Sequence, residues 1–221
     1  MTRTPRETVA GFFEQIINQR RYDLIDTYFH NDAVSHNPPY AGCGLITSEH
    51  DGVIRVQLVS PGGPAEGLVQ VGDEILEAAD ARHTWTGFDA LKTGLWGQGV
   101  AGTKVVLQIR RGEELLEATV ERALVAGFDQ RFGAVRESFI RYLQDEAPDL
   151  QVTVERVVEQ GDLVAVYVVN RATSSAYNRQ AVWAECDLFR VADGKIVESW
   201  GVEDSLSWMR QQGFRFLPPE E

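Results

Sequence analysis

The stretch Asp187-Leu188-Phe189-Arg190-Val191-Ala192-Asp193-Gly194-Lys195-Ile196-Val197-Glu198-Ser199-Trp200 decides the fold of this chain. On both sides of Ala192-Asp193-Gly194, apolar residues recur at the period of two that is typical of half-buried strands. An Asp-Gly pair between two such runs favours a tight hairpin turn. The stretch therefore predicts two neighbouring strands, Gln180 to Val191 and Lys195 to Val202.

Two further strand patterns precede this hairpin. They run from Leu150 to Glu159 and from Leu163 to Arg171, with Gln160-Gly161-Asp162 as the turn between them. Before them, apolar residues recur at helical spacing, and Thr4-Pro5-Arg6-Glu7 has the pattern of a capping box at a helix start. Helices followed by four strands indicate an α+β fold with helices packed on a curved antiparallel sheet.

The middle of the chain has a different character. It is punctuated by glycine and carries short strands such as Val53 to Val59 and Val105 to Ile109. Because domain termini often lie close together, a small domain can enter a loop of another domain without disrupting it. We expect a discontinuous first domain, residues 1–40 and 125–221, with an inserted domain at residues 41–124.

With the middle removed, the chain resembles the SnoaL-like polyketide cyclase family, whose cone-shaped α+β fold is shared with nuclear-transport-factor-like proteins. The stretches that carry the resemblance are Asp32 to Pro38, Ala147 to Leu150, Gly161 to Val166 and the hairpin quoted above. The resemblance implies an enclosed cavity for a small organic molecule. It also implies a homodimer.

The middle part resembles a PDZ domain, a β-sandwich or partly open barrel with two helices. Pro61 to Ala65 and Gly72 to Leu76 follow Gly42-Cys43-Gly44-Leu45 in the order of the family's landmarks. In that family, backbone N–H groups of the first loop bind the terminal carboxylate of a partner peptide beside a helix. The peptide-binding residues that this implies are Gly42, Cys43, Gly44, Leu45, Phe88, Leu91 and Leu95.

The segment Gly97-Gln98-Gly99-Val100-Ala101-Gly102 satisfies the G-x-G-x-x-G pattern of dinucleotide sites. That site needs a helix after the glycines, so that the pyrophosphate meets a helix N-terminus. Here the following residues, Thr103 to Arg110, predict a strand. We interpret the segment as a loop and expect no cofactor.

Asp187 is the first candidate for chemistry. It shares one face of its predicted strand with Trp183, Glu185, Phe189 and Val191. Apolar neighbours disfavour the charged form of a carboxyl group and raise its pKa, which suits it to acid or base work near neutral pH. The alternative is a structural ion pair between Asp187 and an arginine.

By its position Asp187 also resembles the aspartate that acts as acid and base in the cyclases, without a metal or cofactor. His36 matches the family's His-Asn-Pro and is the second catalytic candidate, with a structural histidine as its alternative. Ser174 and Ser199 stand where the family often has histidine. The residues expected to line the ligand cavity are Phe13, Ile17, Trp183, Glu185, Phe189 and Trp200.

The net charge of −12 disfavours nucleic acid and anionic membranes as partners, because such a chain repels both. The four histidines lack metal-ligand spacing, so no metal site is expected. Cys43 and Cys186 form no C-x-x-C pair, and no apolar run is long enough for a signal peptide or a membrane span. These features indicate a cytoplasmic protein.

Two functions follow as hypotheses. In the first, the cavity binds a small, largely apolar molecule and performs cyclase- or isomerase-type chemistry, while the inserted domain binds the C-terminal peptide of a partner. In the second, the protein is a non-catalytic adaptor or sensor whose first domain dimerises. A third reading makes the inserted domain a structural lid.

Overall fold

The computed structural model describes residues 3–174 and 177–215. Fourteen strands occur in these residues. In chain order they are β1 Phe29–Asn37, β2 Tyr40–Gly42, β3 Leu45–His50, β4 Val53–Val59, β5 Glu74–Asp80, β6 Thr84–Thr86, β7 Lys104–Arg111, β8 Glu114–Glu121, β9 Ala123–Val125, β10 Phe128–Arg131, β11 Gln151–Gln160, β12 Leu163–Ser174, β13 Arg179–Ala192 and β14 Lys195–Glu203.

The helices are short and several change type along their length. The α-helices are α1 Pro5–Gly11, α2 Ile25–Tyr28, α3 Phe88–Leu91, α4 Phe132–Arg141 and α5 Ser205–Gln212. Two of them continue as π-helices, α1 into Phe12–Asn18 and α4 into Tyr142–Glu146, and two 3₁₀ turns cover Tyr22–Leu24 and Leu95–Gly97. No helix in the described part of the chain has the length and apolar character needed to cross a membrane.

The chain divides into two compact units. The first unit comprises Met1–Asn37 and Asp129–Glu221, and the second comprises Pro38–Phe128. The second unit thus begins at Pro38 rather than Ala41 and extends to Phe128 rather than Leu124.

The first unit contains a six-stranded sheet in the order β10-β1-β14-β13-β12-β11. The four strands from β11 to β14 are antiparallel neighbours, as the turns at Gly161 and Gly194 predict. The sequence analysis did not predict β1, which runs parallel to β14 with His36 beside Trp200. This strand begins at Phe29, directly after the short helix α2.

One face of this sheet, the inner face, packs against the helices. Its buried residues include Val166, Trp183 and Phe189, which form one core with Phe12, Phe13, Ile16 and Ile17 of the first helix. The predicted capping box is present: the Glu7 N–H donates to Thr4 Oγ1, and the Thr4 N–H donates to the Glu7 carboxylate. The capped start of α1 therefore fixes where the apolar residues of the first helix pack on the sheet.

The opposite face of the sheet, the outer face, carries exposed apolar side chains. Tyr167, Val182 and Val202 keep exposures of 42%, 44% and 64%. The Cys186 thiol is also exposed there, since Cys186 lies between Tyr167 and Val202 in the register of β12, β13 and β14.

Helix α5 covers the edge of β13 beyond the end of β14. The Gln211 side chain donates to the Val182 carbonyl at 2.7 Å and accepts from the Val182 N–H at 2.9 Å. One amide therefore satisfies the backbone groups that a neighbouring strand would otherwise pair, which protects the edge. The helix ends at Gly213, whose left-handed conformation is one that glycine adopts readily.

The second unit contains a sheet in the order β3-β4-β5-β7-β8, with β6 paired to β5, and a separate ribbon of β2 and β9. Its own core includes Cys43, Ile75, Leu107 and Trp96. β3 is an edge strand of this sheet. The G-x-G-x-x-G segment lies between a 3₁₀ turn and β7, so a strand follows the glycines rather than a helix.

Arg122 holds the loops of the second unit together. Its side chain is only 3% exposed and donates to Asp80, Thr103 and the carbonyl of Trp96. The Trp96 indole in turn donates to the Leu91 carbonyl at the end of α3. A buried chain of contacts therefore links the end of β8 to helix α3.

Candidate active site

Two carboxyl side chains lie side by side on the inner face of the first unit. Glu185 and Asp187 are two residues apart on β13, so both point to the face that carries Trp183 and Phe189. In the antiparallel register Asp187 lies opposite Gly201 and Glu185 opposite Glu203. Both carboxyl groups are half-buried.

Gly201 provides the space for the Asp187 carboxyl group. A Cβ atom at position 201 would lie 2.5 Å from Asp187 Oδ1 and 3.7 Å from Glu185 Oε1. Real Cβ atoms do not approach an oxygen so closely, so any larger residue would displace the carboxyl group. The missing side chain of Gly201 thus positions Asp187.

Several effects raise the pKa of Asp187 to about 8. Burial is the largest, because it disfavours the charged carboxylate. The negative charge of Glu185, a hydrogen bond to the Glu185 carboxyl and the charge of Glu203 act in the same direction. Asp187 therefore keeps its proton near neutral pH.

Glu185 is the partner that accepts this hydrogen bond. Burial raises the pKa of Glu185, whereas hydrogen bonds from Asn170 and Asp187 lower it. The Asn170 amide, which is 3% exposed, donates to Glu185 Oε2 at 2.7 Å. The arrangement favours a pair that shares one proton, with Asp187 as the acid and Glu185 as the base.

Tyr142 is a titratable residue that the sequence analysis did not single out and that the charge of Glu185 affects. Burial raises the pKa of its hydroxyl to about 12, and the charges of Glu203, Glu146 and Glu185 add to the effect. The residue nevertheless keeps 39% of its surface exposed. No sequence signal separates Tyr142 from other helix-surface tyrosines.

Four predicted cavity residues lie in the apolar core beside the carboxyl pair: Phe13, Ile17, Trp183 and Phe189. The rings of Phe13 and Phe189 meet edge to face at 6.0 Å. Trp183 is 7% exposed, and its buried indole N–H has no hydrogen-bond acceptor in the described residues. A buried donor without a partner costs about 1–3 kcal/mol, so this N–H is available to a ligand oxygen or a water.

The structure does not bring His36 or Trp200 to the carboxyl pair. Trp200 lies opposite Leu188, the neighbour of Asp187, and consecutive strand residues point to opposite faces. His36 stacks on Trp200 with ring centroids 4.6 Å apart, so both lie on the outer face. His36 Nδ1 instead contacts Asp129 Oδ1 at 2.7 Å. The sequence pattern could not reveal this, because β1 was not foreseen.

The alternative ion pairs for Asp187 do not form. Arg190 contacts Glu198 at 3.1 Å on the outer face, and Arg179 donates to the Gln212 carbonyl. Within residues 3–174 and 177–215, no group of three or more His, Cys, Asp or Glu side chains is arranged to hold a metal ion.

The predicted peptide-binding residues fall into two groups in the second unit. Gly44, Leu45, Phe88 and Leu95 are at the start of β3 and around α3, where a groove wall is expected. The others are used internally: the Cys43 N–H donates to the Gly97 carbonyl at 2.8 Å, Gly42 pairs with Ala123, and Leu91 is 2% exposed in the core. Only part of the predicted carboxylate loop can therefore face a peptide.

A methyl group at position 201 tests the geometry of the carboxyl pair. We expect Gly201→Ala to displace the Asp187 carboxyl group from Glu185 and to lower the pKa of Asp187 below about 8. The matched control is Gly97→Ala, where an added Cβ meets no atom within 4 Å. Carbon-detected NMR titration measures the pKa of Asp187 in both variants. An unchanged Asp187 pKa in Gly201→Ala would refute the close approach of position 201 to the Asp187 carboxyl group.

Comparisons with known proteins address the fold. The family model described as SnoaL-like polyketide cyclase matches residues 125–212. A loop-truncation variant of IdmH from Streptomyces antibioticus is 20% identical, with a TM-score of 0.50, and the likeness covers 95% of this chain and 100% of that chain. A SnoaL-like polyketide cyclase from Agrobacterium tumefaciens is 13% identical, with a TM-score of 0.45 over 96% of this chain and 99% of that chain.

One solved PDZ domain, from the carboxy-terminal protease of Vibrio cholerae in complex with a peptide, is 18% identical with a TM-score of 0.35. It covers 39% of this chain and 97% of that chain. No curated protein matches the chain. The family model and the fold together support a SnoaL-like polyketide cyclase domain. These comparisons do not confirm the inserted PDZ domain.

Proposed function

We propose that the first unit binds a small, largely apolar organic molecule on the inner face of its sheet and moves a proton on it without a cofactor. The observation that carries the proposal is the Glu185–Asp187 pair. Two carboxyl groups that share a proton, with the pKa of Asp187 at about 8, can both accept and donate a proton near neutral pH.

The surroundings of the pair favour a particular reaction type. A carboxylate base removes a proton from carbon readily when a neighbouring electron-withdrawing group, such as a carbonyl, accepts the electron pair. Glu185 would take the proton, and Asp187 would return its own proton to another atom of the same molecule. Such a sequence is isomerase- or cyclase-type chemistry, and it needs no oxidant, reductant or metal.

Exchange of carbon-bound hydrogen tests the proposal without knowledge of the natural substrate. β-Tetralone, a neutral bicyclic ketone, is incubated with the protein in D₂O, and mass spectrometry follows deuterium at its α-carbon. We expect exchange above the buffer rate for the native protein and at least a 100-fold loss of the excess rate in Asp187→Asn. An equal rate in both proteins would refute the role of Asp187.

We further propose that the second unit is a PDZ domain that binds the C-terminal peptide of a protein partner. The edge position of β3 supports this, because an edge strand leaves backbone groups available to an added strand. Gly44 supports it as well, since its φ of 75° allows the turn that aims successive N–H groups at an anion.

Peptide pairs with free and amidated C-termini test this second proposal. We expect at least a tenfold loss of affinity on amidation, because the amide removes the charge that the N–H groups bind. Binding is measured by fluorescence polarisation with a panel of short apolar-ended peptides. Equal binding of the free and amidated peptides, or no binding of either, would indicate that the second unit is a structural insert or lid.

The alternative is a non-catalytic adaptor or sensor that forms a homodimer. The exposed apolar side chains of the outer face, Tyr167, Val182 and Val202, favour it, because patches of this kind often mark interfaces. Multi-angle light scattering tests it with Val202→Glu. A dimer that this substitution converts to a monomer would support the outer face as the interface, and a native monomer would refute it.

The cysteines support a reducing compartment such as the cytoplasm. Both Cys43 and Cys186 are free thiols. Burial, the largest effect, raises the pKa of Cys43 to about 11, so this thiol stays protonated and unreactive.

A further inference from the structure

Ser60, in the second unit, carries a buried hydroxyl group without a hydrogen-bond partner. The residue is 2% exposed, and its Oγ atom forms no hydrogen bond within the part of the chain that the structure describes. Its backbone is satisfied, because its N–H donates to the Gly44 carbonyl at 2.8 Å and its carbonyl accepts from the Gly63 N–H at 2.9 Å. A buried hydroxyl without a partner destabilises a fold, so this one indicates a task other than folding.

The Ser60 side chain lies against Gly44, directly before β3 begins. A Cβ atom at position 44 would lie 3.4 Å from Ser60 Cβ, the distance of an ordinary van der Waals contact. The N–H of Gly44 donates to no backbone carbonyl of the described residues. One pair of facing residues in the β3–β4 hairpin thus holds a free N–H and a free hydroxyl group.

The side chain of Tyr40 reaches this pair. Its ring lies across Gly42, since a Cβ atom there would meet Tyr40 Cε2 at 2.8 Å and Cδ2 at 3.2 Å. Because Cε2 is the ring atom nearer the hydroxyl, the hydroxyl lies beyond Gly42. Burial, the largest effect, raises the pKa of Tyr40, whereas contacts of its hydroxyl with the Ser60 side chain and the Gly44 backbone lower it. The contact with Ser60 lacks the geometry of an ordinary hydrogen bond, so Ser60 Oγ stays unsatisfied.

The groups that meet at this point favour an anionic ligand. The Gly44 N–H and the hydroxyls of Ser60 and Tyr40 can all donate hydrogen bonds. The Tyr40 oxygen lies where an oxygen of a ligand would otherwise accept from the Gly44 N–H. A carboxylate accepts stronger, charge-assisted hydrogen bonds than a phenol oxygen does, so it can take the place of the Tyr40 hydroxyl.

We propose that the Tyr40 hydroxyl occupies the carboxylate position of the second unit until a peptide displaces it, and that Ser60 then donates its hydroxyl to the bound carboxylate. This inference rests on the proposed peptide binding and deepens it, because it assigns that site a built-in competitor and a further binding residue. When the ring of Tyr40 turns aside, the carboxylate oxygens accept from the Gly44 N–H and from Ser60 Oγ.

Two variants with opposite effects test the proposal on the full chain. Fluorescence polarisation measures binding of the short apolar-ended peptides in their free and amidated forms. Tyr40→Phe removes the competing oxygen and should raise the affinity for the free peptides about fivefold. Ser60→Ala removes a donor to a charged acceptor, so it should lower that affinity about tenfold and narrow the preference over the amidated forms. The control is Tyr167→Phe, at a 42% exposed ring of the first unit, which should bind as the native protein does.

Two further measurements separate binding roles from structural ones. Ser60→Ala removes only an unsatisfied hydroxyl, so it should melt at the native temperature or above it. A lower melting temperature together with weaker binding would show that Ser60 supports the fold, and would overturn its role as a donor to the ligand. Without any peptide, Tyr40→Phe should shift the NMR signal of the Gly44 amide proton, because that proton loses the oxygen it faces.

The outcomes distinguish this inference from the proposed peptide binding. An affinity that does not rise in Tyr40→Phe, or an unchanged Gly44 amide signal, overturns the role of Tyr40, and an unchanged affinity in Ser60→Ala overturns that of Ser60. In those cases a loss of affinity on amidation leaves the proposed peptide binding intact. Binding that occurs only in Tyr40→Phe supports both proposals. If no peptide binds to the native protein or to Tyr40→Phe, both are refuted.

Discussion

Asp187→Asn makes the first unit more stable at pH 8 and has a much smaller stabilising effect at pH 5. Burial, together with Glu185 and Glu203, raises the pKa of Asp187 to about 8 in the folded protein. In the unfolded chain the group titrates near pH 4. Between these values the folded state holds a proton that the unfolded state has released, so stability falls as the pH rises.

Asparagine has the same shape but carries no charge at any pH, so the variant escapes this loss. One pKa unit corresponds to about 1.4 kcal/mol of unfolding free energy. Because structural relaxation and solvent weaken the effect at a half-buried site, we expect Asp187→Asn to gain about 2–3 kcal/mol of stability at pH 8. Urea denaturation at pH 5 and pH 8, followed by the NMR signals of β13, measures it. A site that sacrifices stability in this way is typical of catalytic centres.

The control for this experiment is Asp193→Asn, the same substitution at an exposed turn residue with a φ of 50°. It should leave the pH dependence of stability as it is. If Asp187→Asn is no more stable than the native protein at pH 8, the Asp187 carboxyl group is not kept protonated by its surroundings.

Arg122→Met destabilises the second unit by about 3 kcal/mol. The substitution removes a buried guanidinium group and leaves the Asp80 carboxylate and the Trp96 carbonyl without this donor. Breaking a buried ion pair from one side costs about 3–5 kcal/mol, and the 18% exposure of Asp80 places this case at the lower end. Because Trp96 anchors α3, peptide binding should weaken as well.

The matched control is Arg55→Met. Arg55 also pairs with a carboxylate, Glu74 at 2.7 Å, but it is 42% exposed and Glu74 keeps Arg110 as a second partner. We expect a loss below about 1 kcal/mol there. Thermal melting followed by NMR signals of β7 compares the two variants. Equal losses would contradict the structural role of Arg122.

Local patterns predicted the hairpin and the helix start well, because both depend on neighbouring residues. The Asp193-Gly194 turn and the capping box at Thr4 require only short-range chemistry. Asp187 was singled out because alternation along a strand places it among apolar neighbours. The sequence also predicted that such surroundings raise its pKa.

The rest of the site depends on contacts between distant residues. Gly201 makes room for Asp187 only because β14 pairs with β13 in one register, and a shift of that register would change which face each residue occupies. His36 was placed with Asp187 because β1 was not recognised as a strand beside β14. The contact of Asn170 with Glu185 depends on the pairing of β12 with β13, which local patterns do not specify.

The most direct test of the account is a pH titration of the side-chain carboxyl carbons by NMR. The Glu185–Asp187 pair predicts that Asp187 titrates near pH 8 and that the signal of Glu185 responds in the same step. A single Asp187 transition near its ordinary value of 3.8, with no response of Glu185, would contradict the shared proton and with it the proposed acid and base chemistry.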